Sequence, residues 1–197
     1  MDCRSAAECR CVQASDAYFL ATHLFGRKGH HHFLCTGDNE MMERPSRDEW
    51  LMRLATVVSS RGTCRRASVG AIITIRGRII STGYVGAASG QPDCLSIGCE
   101  EGPDGGCTRT IHAEANAIAF AARFGASTEG SELYCTHSPC LNCAKLIINA
   151  GIDRLVYEHE YRDRSGLALL EAHGTSVYQY PAPKPMNDDQ FYRRILG

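Results

Sequence analysis

Leu133-Tyr-Cys-Thr-His-Ser-Pro-Cys-Leu-Asn-Cys-Ala-Lys-Leu-Ile-Ile-Asn-Ala-Gly-Ile-Asp-Arg-Leu-Val-Tyr157 reads as a strand, a helix and a second strand in immediate succession. Leu133 to Thr136 is a short apolar run. Cys140 to Ala150 reads as a helix, and Gly151 supplies its stop. Ile152 to Tyr157 is again apolar and β-prone. The alternation continues downstream: Ser165 to His173 reads as a helix ended by Gly174, and Thr175 to Tyr180 as a strand. Strands alternating with helices argue for an α/β layer with parallel pairing. Their apolar character implies a sheet covered on both faces.

Upstream the signals are equally regular. Ser46-Arg-Asp-Glu49, after Pro45, is a capping box. Trp50, Leu51, Leu54, Val57 and Val58 then recur at helical spacing until Arg61-Gly62. Ser68 to Ile75 and Arg78 to Tyr84 are two strands joined at Arg76-Gly77, a hairpin. A loop rich in Gly, Cys and Pro runs from Val85 to Thr108, and an Ala-rich helix from about Ile111 to Phe124, stopped by Gly125.

The 197 residues suit one domain with an appendage. Residues 1–44 are expected to be an N-terminal extension, disordered or a mis-assigned start upstream of Met41 or Met42, with a two- to three-turn helix over 16–25. Residues 45–181 form the domain, and 182–197 a Pro-rich tail with a short helix over 188–196. The net charge of −1 leaves no bulk positive charge for a nucleic-acid backbone. No apolar run reaches the ~20 residues of a membrane span. Asp2 and Glu8 interrupt any secretory leader. The eleven cysteines are odd in number, which points to a reducing, cytoplasmic setting with thiolates serving as metal ligands.

The chemistry concentrates in His112-Ala113-Glu114 and Pro139-Cys140-Leu141-Asn142-Cys143. Each piece stands at the start of a predicted helix, where partial positive charge and unpaired N–H groups favour thiolates. Cys140 and Cys143, three apart, can point the same way. One imidazole and two thiolates leave a fourth tetrahedral position open, the mark of a catalytic zinc, which lowers the pKa of water towards ~7. Glu114 is then the proton shuttle rather than a ligand. A lone C-x-x-C is commonly a redox pair or half of a structural site. The combination H-x-E … P-C-x-x-C is instead the signature of zinc-dependent nucleobase deaminases.

The flanks add Cys64-Arg-Arg-Ala-Ser-Val-Gly-Ala-Ile-Ile73, Gly83-Tyr-Val-Gly86, Thr110-Ile-His-Ala-Glu-Ala-Asn-Ala-Ile118 and Tyr157-Glu-His-Glu-Tyr-Arg-Asp163. Over about residues 46–180 the chain resembles the deoxycytidylate (dCMP) deaminase family of the zinc-dependent cytidine/deoxycytidylate deaminase superfamily. The resemblance implies a three-layer α/β/α fold with a mixed five-stranded sheet. It also implies hydrolysis of dCMP to dUMP and ammonia for thymidylate synthesis. A homo-oligomer, often a hexamer, and regulation by dCTP and dTTP come with it. Carried over by residue, His112, Cys140 and Cys143 match the zinc ligands and Glu114 the shuttle. The Ala113 N–H would hold the pyrimidine carbonyl and the Ser138 carbonyl the amino group. Tyr161 would lie near substrate, and Arg123 at a regulatory subunit contact.

Val85 departs from the family's usual Asn, which contacts the nucleotide; valine has neither donor nor acceptor. Some phage members hold a structural zinc at positions matching Cys64 and Cys94. Cys64, Cys94, Cys99 and Cys107 are therefore either a closed four-thiolate zinc site or free thiols. Arg65 and Arg66 are either solvated or poised for a 5′-phosphate. His30-His31-His32 has no assigned role. Three other functions compete: a deaminase of another nucleotide or nucleoside, an editor of polynucleotides, and a non-catalytic zinc-stapled interaction protein.

Overall fold

The computed structural model describes residues 44–182 apart from Asp104. The expected helix over 16–25, the His30-His31-His32 segment, the extension up to residue 43 and the tail helix over 188–196 lie outside the described residues.

The chain starts with α1 (Arg47–Ser59), capped by the Ser46 hydroxyl, which accepts from the Glu49 N–H at 3.1 Å. The hairpin follows as β1 (Gly70–Ile75) and β2 (Arg78–Tyr84). Arg76 and Gly77 both take positive φ, 51° and 75°, the two-residue turn that matches strand twist. The long loop is not featureless. It contains the two-residue strand β3 (Gly86–Ala87) and the one-turn helix α2 (Cys94–Ile97). It closes on β4 (Thr110–Ile111), which pairs with β3. Then come α3 (Ala113–Arg123), β5 (Ser131–His137), α4 (Leu141–Asn149), β6 (Ile152–His159), α5 (Ser165–His173) and β7 (Ser176–Gln179).

The main sheet has five strands in the order β2-β1-β5-β6-β7. The β1–β2 and β1–β5 pairs are antiparallel, and β5–β6 and β6–β7 parallel, so the sheet is mixed as expected. Strand alternation sorts its two faces. Ala71, Ile73, Leu133, Cys135, Leu155 and Tyr157 face one core, filled by Ala113 and Ala117 of α3, Ala144 and Ile147 of α4, and Leu167 and Leu170 of α5. Ile72, Tyr134 and Val156 face the other, under Leu51, Met52 and Ala55 of α1. The result is three layers, α1 on one side and α3, α4 and α5 on the other. Each fully buried Leu or Ile contributes about 1.5–3 kcal/mol by leaving water.

The α1 side carries a polar tie. Arg154 on β6 forks onto Asp48, donating to Oδ2 at 2.6 Å and Oδ1 at 3.1 Å. The Tyr134 hydroxyl lies 2.7 Å from both Asp48 and Glu132. The Arg154 guanidinium, chiefly, holds the Asp48 carboxyl below its ordinary range. A depressed carboxyl pKa contributes stability above its unfolded value near 3.9, lost as pH falls through the folded one. The Asp48→Asn variant is therefore expected to lose about 1.5–3 kcal/mol at neutral pH. The deficit should shrink as denaturant melts are repeated at falling pH below about 4.

On the other side α3 sits directly on β2. A Cβ on Gly83 would collide with the Ala113 carbonyl and the Ala117 N–H. The Gly83→Ala variant is expected to lower the urea midpoint by the equivalent of about 1–3 kcal/mol without changing the slope.

Candidate active site

Two helices begin at one point. His112 is the N-cap of α3 and Cys140 the N-cap of α4, each with extended backbone, and neither side chain caps its own helix. They turn instead towards each other. His112 Nδ1 lies 3.5 Å from Cys140 Sγ and 3.4 Å from Cys143 Sγ, with Cys143 one turn into α4. The sequence reading put His112 inside the first turn; it is the residue before it. α3 is fixed by Asn116, which donates to the Tyr84 carbonyl at 2.8 Å, and by Ser81, which donates to the Ala117 carbonyl at 2.7 Å. α4 is backed by α5, whose Gly166 leaves no room for a Cβ against the Pro139–Cys140 backbone.

These three donor atoms lie within 4.8 Å of one another and form the only such group of three or more among the described residues. The fit to zinc can be tested on edge lengths. Zn–S near 2.3 Å and Zn–N near 2.0 Å at a tetrahedral angle give an S–N edge of about 3.5 Å. The two observed edges, 3.4 and 3.5 Å, match. Hydrogen bonds from Cys143 and His112 bring the Cys140 thiol down to about 3. The bond to Cys140, together with burial, pushes Cys143 up. The pair thus holds one thiolate ready and one proton for a metal to displace.

Glu114 stands in the first turn of α3, 4% exposed, and is not part of the three-donor group. Burial pushes its carboxyl up to about 7. Glu114 and Ala113 line the buried end of a cavity of about 340 Å³, the size of a small-ligand site. Ser138, 3% exposed, lines it too. Its hydroxyl accepts from the Tyr161 N–H at 2.8 Å, and its own N–H donates to the His159 carbonyl at 2.8 Å. Tyr161 and Val85 complete this wall, Val85 being 5% exposed. The cavity opens at the carboxyl ends of β5 and β6, where open α/β sheets place their ligands.

Gly105, Gly106 and Cys107 of the cysteine loop line the cavity too, with Cys64 from the segment before β1. Cys94 Sγ and Cys107 Sγ are 3.6 Å apart, and Cys99 hydrogen-bonds Cys107. Burial lifts the Cys94 thiol to about 11. Burial acts on Cys107 in the same sense, but hydrogen bonds from the Glu100 backbone and Cys99 outweigh it and bring that thiol to about 6. Of the two candidate arginines, only Arg66 lines the cavity; Arg65 donates to the Leu95 carbonyl at 2.9 Å. Arg123 is the exposed last residue of α3 and stands apart from the cavity lining; Phe120 and Phe124, before and after it in the chain, stack on each other at 6.2 Å. Sequence reasoning passed over His137 and Arg162, which both line the cavity; the basic residue directly after Tyr161 was the available signal.

The comparisons with known proteins agree with this geometry. The model of the cytidine and deoxycytidylate deaminase zinc-binding region matches residues 45–159. ComE operon protein 2 of Bacillus subtilis (strain 168) is 42% identical over 139 residues, covering 70% of this chain and 73% of that protein. The deoxycytidylate deaminase of Enterobacteria phage T2 is 33% identical over 180 residues, covering 72% of this chain and 96% of the phage enzyme. The crystal structure of dCMP deaminase from the cyanophage S-TIM5 in complex with dCMP and dUMP superposes with a TM-score of 0.63 at 36% identity, over 70% of this chain and 99% of that one. With its His112, Cys140 and Cys143 donors inside the matched region, the chain belongs to the cytidine and deoxycytidylate deaminase family.

Proposed function

We propose that this protein catalyses the hydrolytic deamination of dCMP to dUMP and ammonia, supplying pyrimidine deoxynucleotide for thymidylate synthesis. The observation that carries the reading is a buried carboxylate, Glu114, at the end of a nucleotide-sized cavity and beside a three-donor metal site. Relatives named deoxycytidylate deaminase, and a solved relative in complex with dCMP and dUMP, support the choice of substrate.

His112, Cys140 and Cys143 would hold the zinc. When bound, zinc supplies a Lewis acid that lowers the pKa of water towards about 7. Glu114 takes a proton from the water that attacks C4 and gives it to ring N3. It then takes the second proton from the new C4 hydroxyl, which becomes the carbonyl, and delivers it to the amine as the C4–N bond breaks. Oxygen joins C4 and ammonia leaves, so one water is consumed for each dUMP formed. A carboxyl pushed up to about 7 is matched to taking and giving a proton near neutral pH. The Ala113 N–H, among the unpaired donors at the start of α3, holds the pyrimidine carbonyl. The Ser138 backbone carbonyl accepts from the departing amino group, and Tyr161 closes the side of the pocket. Val85 gives the sugar an apolar wall where other family members offer an amide.

Cys64, Cys94, Cys99 and Cys107 would hold a second, structural zinc once drawn together, since no three of their sulfurs lie within 4.8 Å of one another in this structure. Support comes from the 3.6 Å approach of Cys94 to Cys107 and the hydrogen bond that joins Cys99 to them. The working form is a cytoplasmic homo-oligomer, a hexamer by family resemblance, with dCTP and dTTP as effectors. Arg123 lies at the subunit contact, and the exposed Phe120 and Phe124 beside it provide apolar area for such a contact.

Three measurements test this reading. A panel of dCMP, CMP, deoxycytidine, dCTP and dAMP, followed by ultraviolet absorbance and ammonia release, should show dCMP as the preferred substrate. An inert dCMP beside turnover of another compound overturns the substrate. The Glu114→Gln variant should lose at least about a hundredfold in kcat with its zinc retained. Metal analysis should find two zinc ions per chain, and one after Cys99→Ser with Cys107→Ser. One ion per fully active chain would remove the structural site.

A further inference from the structure

Two sulfurs of the long loop are held in contact by separate pieces of backbone. Cys94 opens α2, where the Asp93 carboxylate accepts from the Ser96 N–H at 2.9 Å and the Gly98 N–H donates to the Cys94 carbonyl at 3.1 Å. Cys107 stands in a tight turn further along the loop, bridged to Glu101. There the Gly102 N–H meets the Gly106 carbonyl at 2.8 Å, and the Thr108 N–H meets the Glu100 carbonyl at 2.9 Å. The Cys94 and Cys107 sulfurs lie 3.6 Å apart. Cys99 hydrogen-bonds Cys107, but no third His, Cys or carboxylate donor lies within 4.8 Å of both sulfurs among the described residues. What this structure presents is a pair. We infer that Cys94 and Cys107 are a redox pair, in which a peroxide oxidises Cys107 and Cys94 closes a disulfide onto it.

Access assigns the two roles. Cys107 is half-buried and lines the cavity, whereas Cys94 is fully buried. A small oxidant in the cavity therefore meets Cys107 first, and Cys94 waits behind it as the resolving thiol. The Cys107 sulfur attacks hydrogen peroxide: an S–O bond forms, the O–O bond breaks, and the departing hydroxide takes the thiol proton and leaves as water. The Cys94 sulfur then attacks Cys107 Sγ. The S–S bond forms, the S–O bond breaks, and the hydroxide leaves with the Cys94 proton. Two thiols and one peroxide become one disulfide and two waters. The sulfurs close from 3.6 Å to the ~2.05 Å of a disulfide. The other thiols nearby are differently placed: Cys64 Sγ accepts from the Arg66 N–H at 3.4 Å, and Cys135 lies in the core. A transient disulfide of this kind is compatible with a reducing compartment. The pairing stands apart from the deaminase reading, but its consequence for metal rests on the structural zinc proposed above. A sulfur held in a disulfide cannot ligate zinc, so disulfide and metal become exclusive clasps for the loop that carries Gly105, Gly106 and Cys107 to the cavity.

The test treats the zinc-loaded full chain with hydrogen peroxide in stoichiometric steps, then denatures, alkylates and digests it for mass mapping. A Cys94–Cys107 linked peptide, two hydrogens lighter than the reduced pair, should be the first cross-link to appear, and dithiothreitol should remove it. Cys107→Ser should abolish the link. Cys94→Ser should leave Cys107 as a sulfenic acid that dimedone traps. Cys64→Ser and Cys99→Ser should leave the pairing intact. A first cross-link between Cys99 and Cys107, or between Cys140 and Cys143, overturns the pair, as does full alkylation of Cys94 and Cys107 after excess peroxide. Zinc passed to a chromophoric chelator should rise by about one ion per disulfide formed. A chain that holds a single ion before treatment and frees none removes the structural-zinc reading, and the cross-link alone then decides the redox pair.

Discussion

Everything at the site depends on two helix N-termini being brought face to face. α3 and α4 each begin with a residue whose side chain leaves its own helix uncapped and points across the gap. Both helices thereby direct partial positive charge and free N–H groups at the same small volume. Without a concentrated negative partner that arrangement costs energy. The Cys140 thiolate supplies one, and a carboxylate in the first turn of α3 lies close by. The absence of side-chain caps is thus the local sacrifice that creates the donor set.

What keeps the two ends together is backbone contact. α3 lies so close to β2 that Gly83 has no room for a side chain, and Ser81 and Asn116 lock the register. α4 is pressed from behind by α5 at Gly166. Because β5 runs parallel to β6 and antiparallel to β1, one end of the sheet collects the exits of β5 and β6 and the approach to β1. The Gly70 N–H bonds the Thr136 hydroxyl at 3.2 Å at that end. Cys140, Ser138 and Tyr161 come from these junctions and His112 from the start of α3 against them, so the site tolerates little sliding of one layer over another.

Much of this was legible in the sequence because it rests on local signals. Gly151 and Gly174 end helices in left-handed turns, the Ser46 cap starts one, though the Glu49 carboxylate pairs with Arg53 rather than closing the box, and the β-branched runs alternate faces as a covered sheet requires. The spacing of His112, Glu114, Cys140 and Cys143 announced the donor set because helix starts are predictable from caps and breakers. What stayed hidden depends on long-range placement. Nothing in Arg65-Arg66 says which arginine turns to the cavity; the answer lies in Leu95 and Gly105, some thirty and forty residues on. The β3–β4 pair was read as loop because two residues carry no periodicity. Arg162 went unnoticed because a basic residue in a loop is ordinarily solvated, and only the fold brings it to the cavity lining.

The shape of the cavity also bears on the choice between a free nucleotide and a polynucleotide. A single strand threading past Glu114 needs an open track with basic and aromatic residues on both sides of the reacting base. Here the cysteine loop lends the cavity Gly105, Gly106 and Cys107 rather than a row of cations. Those glycines bring backbone close to the opening and leave Arg66 and Arg162 as its positive groups. The same loop also tethers Arg66 through Gly105, so the order of the thiol cluster and the placement of that guanidinium are linked.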